Sequence, residues 1–490
     1  MLTFGICLAV LIASYFLYGG FLSNRIAKLD KSADVPSKSM YDGVDYMPLP
    51  RWRIFLIQLL NIAGTGPIFG AILGACYGPV AFLWITLGGI FMGAMHDFLA
   101  GVISLRHGGK SLPETIGIYL GGGMRKFSLV VIPILMVLVG GVFIVTPSKI
   151  LASMSDISYL TWVAIIIVYY FVATIMPVDK IIGKIYPLFG AALIFMALAM
   201  FGIVLFGGYE LPELTTLENM HFNAEKLPIV PTLFISIACG AISGFHATQS
   251  PLMARCVTSE VQARPIFFGA MIAESIIALI WAAVAMAFFG GVEGLNSWMA
   301  ENGSDAGLAV STISITTLGV AGSILALLGV VAAPITSGDT AFRSARLIVA
   351  DMLNIDQRTI WKRLAVSLPL FAAGVGIAFI DFDVIWRYFA WSNQGLSVLT
   401  LWMITAWLMH RRSRFVPIAM IPALIMTYIC ASFVFVSDQF IGMGGVDAAY
   451  IYGGAVTAII AGLLIMKIKL LMRQCLNTKK QKNLALLLLQ

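Results

Sequence analysis

Long apolar stretches recur along nearly the whole chain, and they leave few folds open to it. The first runs from Leu2 to Leu22 without a charged side chain. A helix needs about 20 apolar residues to cross roughly 30 Å of hydrocarbon. Similar stretches follow one another, with mostly short connections, up to about residue 470. The pattern predicts an all-α polytopic membrane protein.

Composition agrees with this prediction, since 60% of the 490 residues are hydrophobic and 11% are charged. Soluble domains carry about 25% charged residues. No polar stretch is long enough for an ordinary globular domain. We predict about thirteen crossings, at roughly 2–22, 54–76, 80–105, 127–147, 160–177, 185–207, 231–252, 266–290, 308–336, 364–380, 384–409, 415–436 and 448–470.

The basic residues predict the orientation. If the N-terminus is outside, all of the 31 Lys and Arg residues fall on inner segments except Lys149, Lys226 and Arg387. The positive-inside rule therefore places the N-terminus outside and the C-terminus in the cytoplasm. Basic inner segments suit anionic membrane lipid. No nucleic-acid partner is expected, because no basic domain with interleaved aromatics is present.

Two of the apolar stretches contain residues that break helices. The second crossing includes IAGTGPIFG (62–70), and the seventh includes ACGAISGFHATQSP, from Ala238 to Pro251. Within a helix, glycine costs about 1 kcal/mol and proline about 3 kcal/mol relative to alanine. Irregular backbone is tolerated at membrane depth only inside protein or beside a water-filled cavity. We therefore expect both breaks to be buried.

The spacing of the breaks predicts an inverted repeat. They are five crossings apart, so the second broken helix enters the membrane with opposite polarity. Inverted five-helix repeats that each open with a broken helix form the leucine-transporter-like plan. The predicted units are a leading helix (1–22), a first repeat (54–207), a second repeat (231–409), and two trailing helices with a cytoplasmic tail (415–490).

In such a plan the substrate binds where the two breaks meet. Half-helix N-termini attract carboxylates, and glycine lets a ligand approach the backbone closely. The alternative is that the glycines only allow close helix packing. The candidate substrate-binding residues are Asn61, Gly64, Thr65, Gly66, Ser243, Gly244, His246 and Gln249.

Ionisable residues within the crossings are candidates for ion coupling, because burying charge in a membrane is expensive. His246 could exchange a proton or could be a structural histidine. His96 and Asp97 could relay protons or could form a buried polar clamp that orients Arg106 or the next loop. Glu274 could carry a proton or could pair with an arginine or a hydroxyl.

The stretch TSGDTAFRSAR (336–346) offers hydroxyl and carboxylate oxygens at the inner end of the ninth crossing. Thr336 and Ser337, with a carbonyl near Ala63, could hold Na⁺, and Asp339 adds charge. The alternative is a helix cap in which Asp339 pairs with Arg343. Farther along, Asn393 and Gln394 either line the pathway or bond between helices.

The sequence offers little support for an enzyme or a bound cofactor. GTGPIFG follows no strand, the chain has no phosphate-binding GxxxxGK[ST] motif, and its six cysteines lack zinc spacing. The coupling ion is expected to be H⁺ or Na⁺.

Several motifs together resemble a known family. They are YDGVDYMPLP (41–50), IAGTGPIFGAILGA (62–75), GKSLPETI (109–116), CGAISGFHATQSPLMARC (239–256) and ITSGDTAFRSARLIVAD (335–351). These stretches are similar to the carbon starvation protein A family of peptide transporters, from Tyr15 to about Asp351 and more weakly beyond. TSGDT also resembles TSADS of betaine/choline/carnitine transporters, which implies sodium binding by Thr336 and Ser337. Gly338 and Thr340 depart from that pattern and leave the choice between Na⁺ and H⁺ open.

The resemblance implies a transporter of the bacterial inner membrane, related to the amino acid–polyamine–organocation superfamily. It implies ion-coupled uptake of a small carboxylate such as pyruvate, or of short peptides, during carbon starvation. The alternatives are an uncoupled facilitator or channel, and a membrane nutrient sensor. The sequence does not distinguish the substrates and does not reveal the oligomeric state.

Overall fold

The computed structural model describes residues 1–153, 155–176, 186–357, 359–380, 382–443 and 445–488. Every regular element in these ranges is helical. The helices are α1 Leu2–Ala27, α2 Arg51–Ala63, α3 Gly66–Ala75, α4 Val80–Arg106, α5 Leu112–Leu120, α6 Gly122–Ser153, α7 Tyr159–Ile175, α8 Tyr186–Phe206, α9 Gly244–Ala254, α10 Glu260–Phe288, α11 Val292–Glu301, α12 Ala306–Ala326, α13 Ala332–Leu353, α14 Ile360–Ile377, α15 Phe382–His410, α16 Pro417–Val436 and α17 Val446–Leu488.

The number of helices able to cross a membrane is smaller than predicted. Within the described ranges, eight helices are long and apolar enough, or nine if α2 and α3 form one span. Tyr159–Thr174 and Ala306–Gly319 are shorter apolar helices. The predicted count of thirteen is therefore not confirmed. Much of the shortfall falls on crossings that are short or broken, such as the seventh, which divides into Phe234–Ser236 and α9.

Burial separates inner helices from outer ones. In their most apolar windows, α10, α4 and α6 are 83%, 78% and 72% buried, whereas α1 and α17 are 28% and 17% buried. A helix that is apolar on all sides and also buried belongs to the core of a helical assembly. The two ends of the chain thus lie at the periphery, around a core that contains α4, α6 and α10.

The first break lies between α2 and α3, which are bent by 54°. Gly64 ends α2 with φ 45° and ψ −136°, a conformation that a side chain would strain. Pro67 follows within the first turn of α3, where the missing N–H of proline costs no helical hydrogen bond. The glycine and proline that looked unfavourable in the sequence are therefore what shape this bend.

The second break is shorter than predicted. Helix Phe234–Ser236 ends at Ile237, Ser243 is extended, and α9 begins at Gly244. The predicted break from Ala238 to Pro251 is wrong in its second half, where the chain is helical. All residues of α9 are buried, so tertiary packing outweighs the weak local preference for helix.

The stretch TSGDT lies inside α13 and not at the end of a helix. Thr336, Ser337 and Asp339 are buried in its first two turns. The helix continues to Leu353 and ends at Asn354, which is left-handed. The prediction of an inner helix end is wrong because Arg343 and Arg346, which resemble a cytoplasmic boundary in the sequence, are themselves buried.

Candidate functional site

Four ionisable side chains from three helices form a buried cluster at the second break. Asp97 of α4 lies between two histidines: its Oδ1 is 2.7 Å from His96 Nδ1 and its Oδ2 is 2.8 Å from His246 Nδ1. On the other side of the ring, His246 Nε2 is 3.4 Å from Glu274 Oε2 of α10. All four side chains are 0% exposed.

Several polar atoms of this cluster have no hydrogen-bond partner among the described residues. They are His96 Nε2, His246 Nε2 and both carboxylate oxygens of Glu274. Two buried carboxylates without compensation would be very costly, so protons on the imidazoles or carboxyls, or a bound cation, must balance their charge. The cluster is therefore suited to carrying a proton or a cation.

These contacts exclude one alternative for Asp97 and one for Glu274. Asp97 binds His96 and His246, while Arg106 instead bonds Glu260 and the carbonyl of Ala27. Asp97 therefore does not orient Arg106. The neighbour of Glu274 is His246 and not an arginine.

One set of residues has the composition of a metal site. Cys239, His246 and Glu274 each place one potential ligand atom within 4.8 Å of the others. A thiolate, an imidazole and a carboxylate could hold an ion such as Zn²⁺. The same atoms also lie close enough to exchange protons, so the set is compatible with either kind of cation.

The two breaks are in direct contact. A Cβ atom built on Gly66 would overlap the side chain of Cys239, and one built on Gly70 would lie 2.7 Å from the carbonyl oxygen of Ser236. The predicted meeting of the breaks therefore occurs, and close packing is one reason for glycine at both positions.

Helix α15 supplies hydrogen bonds to the second break. Asn393 Oδ1 accepts from Ser243 Oγ at 2.9 Å and from the backbone N–H of Phe245 at 2.8 Å. Gln394 Nε2 donates to the carbonyl of Ile242 at 3.1 Å. The amides of Asn393 and Gln394 thus bond between helices and satisfy backbone groups that the break would otherwise leave unpaired.

A second polar group joins α13 to the first break. Ser337 Oγ donates to the carbonyl of Leu60 at 3.1 Å, and Thr340 Oγ1 is 3.5 Å from Asn61 Oδ1. Thr336 Oγ1 donates within α13, to the carbonyl of Ala333. The carbonyl that Ser337 reaches is that of Leu60, three residues before the expected Ala63.

Asp339 does not pair with Arg343 as one alternative predicted. Its Oδ2 accepts a hydrogen bond from Tyr186 of α8 at 2.7 Å. Arg343 donates to the carbonyl of Ala173 at 2.9 Å and lies 3.7 Å from Asp45. Asp339 is therefore a buried carboxyl held by a tyrosine, next to the hydroxyls of α13.

The structure divides the predicted site residues among several groups. Asp97, His246 and Glu274 belong to the ionisable cluster, whereas Ser337 and Asn61 contact Leu60 and Thr340 respectively where α13 packs on α2. Ser243 is bonded to Asn393, and Gly244 packs closely on α15. Gln249 Nε2 is 3.1 Å from Thr248 Oγ1, and Gln249 Oε1 has no described partner. Thr65 Oγ1 is also buried without a described partner.

Cys239 and Tyr186 belong to these groups without being predicted from the sequence, and Gln58 is a buried polar residue that is also not predicted. The position of Cys239 inside the second break is a signal in the sequence. Gln58 is 0% exposed, and neither of its side-chain amide atoms has a described partner. A glutamine within an apolar stretch could have been noticed, but nothing local distinguishes Tyr186 from other tyrosines at helix starts.

A surface cavity of about 640 Å³ lies elsewhere, between the 217–230 segment and helices α16 and α17. Its lining includes Asn219, Tyr428 and Tyr450. It contains none of the residues of either break, so its size is not a measure of the candidate site.

Similar proteins are found for most of the chain. The model of the family "Carbon starvation protein CstA" matches residues 1–156 and 129–328. An uncharacterized membrane protein of Haemophilus influenzae is 42% identical over 340 residues, which are 59% of this chain and 91% of that protein.

Several relatives have transporter names. The peptide transporter CstA of Campylobacter jejuni is 26% identical over 80% of this chain and 62% of its own length. The pyruvate/proton symporter BtsT of Escherichia coli is 28% identical over 64% of this chain and 52% of its own length. This chain thus spans about three fifths or less of these named relatives. Their names denote transporters and not enzymes, in agreement with the expectation for this chain.

The fold has a solved counterpart in a crystal structure of the manganese transporter of Eremococcus coleocola, with a TM-score of 0.53 and 13% identity over 89% of this chain and 99% of that one. At this identity the likeness concerns the fold alone. It agrees with the all-helical, multi-pass membrane architecture described above. The family match over residues 1–328 establishes that the chain belongs to the carbon starvation protein CstA family.

Proposed function

We propose that this protein is a secondary active transporter that imports a small carboxylate such as pyruvate, or short peptides, across the bacterial inner membrane. The observation that carries this proposal is the buried His96–Asp97–His246–Glu274 cluster, which adjoins the contact between the two breaks. A transporter of this plan binds its substrate and coupling ion between such breaks. The names of the transporter relatives agree with it.

The proposed coupling ion is the proton. Asp97 and Glu274 face the two nitrogens of one imidazole, so a proton that arrives on either carboxylate can pass through His246. A relative is named a pyruvate/proton symporter. The competing arrangement is sodium held by Ser337, Thr336 and the carbonyl of Leu60. It is less favoured because the Thr336 hydroxyl bonds within α13, to the carbonyl of Ala333, whereas the Ser337 hydroxyl bonds the carbonyl of Leu60, so the two hydroxyls are directed to different places.

The substrate carboxylate is proposed to bind near Thr65 and Gly66, at the start of α3. A helix N-terminus presents N–H donors and a partial positive charge to an anion. The second break lies opposite, with Cys239 against Gly66 and with His246 in the first turn of α9, which follows the break. If the two breaks separate, the carboxylate site near Gly66 becomes accessible. A change in the charge of His246 would then change the electrostatic potential at this site.

The proposal is tested by reconstituting the full chain in liposomes and measuring uptake of labelled pyruvate. Proton and sodium gradients are imposed separately, and a dipeptide is added as competitor. We expect accumulation above equilibrium with a proton gradient, lost in His246→Gln and retained in Ser337→Ala. Accumulation that follows sodium and is lost in Ser337→Ala would replace the proton with Na⁺. Uptake that never exceeds equilibrium would reject coupled transport in favour of a facilitator.

A further inference from the structure

A second buried charged group lies away from the breaks, on the side predicted to face the cytoplasm. It contains Arg343 and Arg346 of α13, Arg363 of α14, and Asp45 from the segment before α2. The three arginines are 3%, 1% and 5% exposed, and Asp45 is 8% exposed. We call these four residues the arginine cluster.

The arginine cluster has more positive charge than its recorded partners balance. Within the described part of the chain, ion pairs to these arginines consist of the contact between Arg343 Nη1 and Asp45 Oδ1, at 3.7 Å. That separation is too long for a hydrogen bond, and Asp45 Oδ1 has no described hydrogen-bond partner. Three guanidinium groups and one carboxylate leave a net charge of +2, and the charge of buried Asp339, which interacts with Arg343 and Arg346, reduces the excess to +1. Burying such charge without compensation is unfavourable.

The donors of the arginine cluster are also underused. Nε and Nη1 of Arg343, Nε and Nη2 of Arg346, and Nε and Nη1 of Arg363 are buried without a described partner. Arg346 uses Nη1 to donate to Gln357 at 3.0 Å. Its free Nε and Nη2 are the adjacent pair that can donate two parallel hydrogen bonds to one carboxylate. Lysine cannot reproduce this fork, although it has the same charge.

The arginine cluster stands at the end of a polar row on α13 that starts at the first break. Ser337 contacts Leu60, Thr340 contacts Asn61, and Ser344 Oγ donates to the carbonyl of Thr248 on α9. Arg343 follows Thr340 at a spacing of three, whereas Arg346 lies about half a turn around the helix from Ser337 and about 14 Å further along its axis. A ligand that left the breaks along α13 would therefore reach Arg343 first, with Arg346 nearly one turn further on.

We propose that the arginine cluster is a second binding site for a small carboxylate, used by the substrate on its way between the breaks and the cytoplasm. The fork of Arg346 holds the carboxylate, and single N–H donors of Arg343 and Arg363 complete its hydrogen bonds. This inference rests on the proposed function for the identity of the carboxylate as substrate. Free phosphate and an anionic lipid headgroup share the negative oxygen atoms that arginine recognises, and the test separates them.

The test measures binding of labelled pyruvate to the purified full chain by equilibrium dialysis. Arg346→Lys is compared with the wild type and with Arg264→Lys as control. Arg264 lies at the start of α10, where it donates to the carbonyl of Tyr15. We expect Arg346→Lys to weaken one class of bound pyruvate by about tenfold or more, because it loses a charge-assisted pair of hydrogen bonds. Arg264→Lys should bind like the wild type, and unchanged binding in Arg346→Lys would overturn the proposal.

Two further arms exclude the other ligands and keep the test independent of folding. Inorganic phosphate is added as a competitor, and binding is repeated in nanodiscs with and without phosphatidylglycerol. The proposal would be overturned if the binding of phosphate or lipid depends on Arg346 and the binding of pyruvate does not. If Arg346→Lys fails to fold, Arg363→Lys at the edge of the cluster is used, with the same expected loss.

Transport distinguishes failure of this inference from failure of the proposed function. In oriented vesicles, Arg346→Lys should raise the half-saturating pyruvate concentration from the cytoplasmic face by about tenfold and leave the external value unchanged. Arg346-dependent binding without any coupled uptake would reject the proposed function alone. Suppose instead that uptake is coupled and that, on each face, the half-saturating pyruvate concentration of Arg346→Lys equals that of the wild type. This result would reject the second site alone.

Discussion

Gly66 is the residue at which the two breaks touch, and two explanations for it can be separated by experiment. The sequence suggests that glycine lets a ligand approach the backbone. The structure adds that a Cβ atom would overlap the Cys239 side chain. If packing were the whole reason, space made at Cys239 would restore every property that a larger residue at position 66 removes.

We therefore expect Gly66→Ala to lower the free energy of unfolding by about 1–3 kcal/mol, the usual range for overpacking. Adding Cys239→Gly should recover most of this loss while pyruvate uptake stays low, because the backbone at position 66 remains covered. Thermal unfolding in detergent and liposome uptake measure the two effects. Gly376→Ala is the control, since a Cβ there has nothing within 4 Å. Full recovery of uptake in the double variant would assign Gly66 to packing alone.

Glu274 tests the proton path one side chain at a time. Glutamine keeps the size of Glu274 but can neither carry the charge nor release the proton that faces His246. Glu274→Gln should reduce proton-driven accumulation of pyruvate by at least about tenfold, equivalent to about 1.4 kcal/mol. Exchange of labelled for unlabelled pyruvate should continue, because it needs no net proton movement. Glu293→Gln, which changes an exposed carboxyl on α11, serves as the matched control. Accumulation as in wild type by Glu274→Gln would remove the Glu274 carboxyl from the coupling path.

At the residue scale the sequence was informative for charged groups and weak for neutral ones. His246, Asp97 and Glu274 were expected because ionisable side chains within apolar stretches are rare and costly. Their grouping around one imidazole required the structure, since they come from three helices. Cys239 and Tyr186 are ordinary residues of membrane helices, and only their neighbours give them a role.

Helix α15 holds the second break in shape. The N-terminus of α9 has no side-chain cap of its own from Ser243. Asn393 provides one from another helix by accepting from the N–H of Phe245. A helix start that depends on a distant residue is stabilised only when the two elements are packed together.

Asn393→Ala should therefore destabilise the protein more than an ordinary asparagine replacement. The loss leaves the N–H of Phe245 and the hydroxyl of Ser243 buried without their acceptor, which costs about 1–3 kcal/mol for each buried group. The thermal unfolding midpoint and pyruvate uptake should both fall. Asn302→Ala removes a bond to the carbonyl of Trp298 near the surface and should change neither by much. Equal midpoints for the two variants would contradict the capping role.

Glycine and proline in apolar stretches predicted both breaks, because their conformational effects are local. The C-terminal limit of the second break was wrong, since burial of α9 determines how far the helix extends. The prediction that TSGDT lies at an inner helix end was wrong for a related reason. Buried arginines look like a membrane boundary unless their surroundings are known.

For the molecule as a whole, the 207–228 segment packs over the predicted outer side of the helices. His221 lies against the ring of Tyr77, with centroids 4.7 Å apart, and accepts the N–H of Asn223 on Nδ1. Asn296 of α11 donates to the carbonyls of Cys76 and Met220. These contacts connect the segment to the end of α3, and burial lowers the pKa of His221 to about 4.

This pKa predicts loss of stability in acid. The unfolded chain has an ordinary histidine pKa near 6.5 and binds the proton first. Stability from neutral His221 is therefore complete above about pH 6.5 and is lost as the pH falls toward 4. The thermal unfolding midpoint should decrease as the pH is lowered from 7 to 5, and His221→Gln should make this decrease smaller. A wild-type slope retained in full by His221→Gln would assign the acid sensitivity to other groups.

The contact between Gly66 and Cys239 has a consequence for how affinity should be interpreted. A ligand at that point can bind only to conformers in which the two residues have moved apart. If these conformers are a fraction f of the population, the apparent dissociation constant is the intrinsic one divided by f. A weak equilibrium affinity would then reflect a rare conformer and not a poor site. Cys239→Gly alone, by enlarging f, should bind pyruvate more tightly than the wild type does.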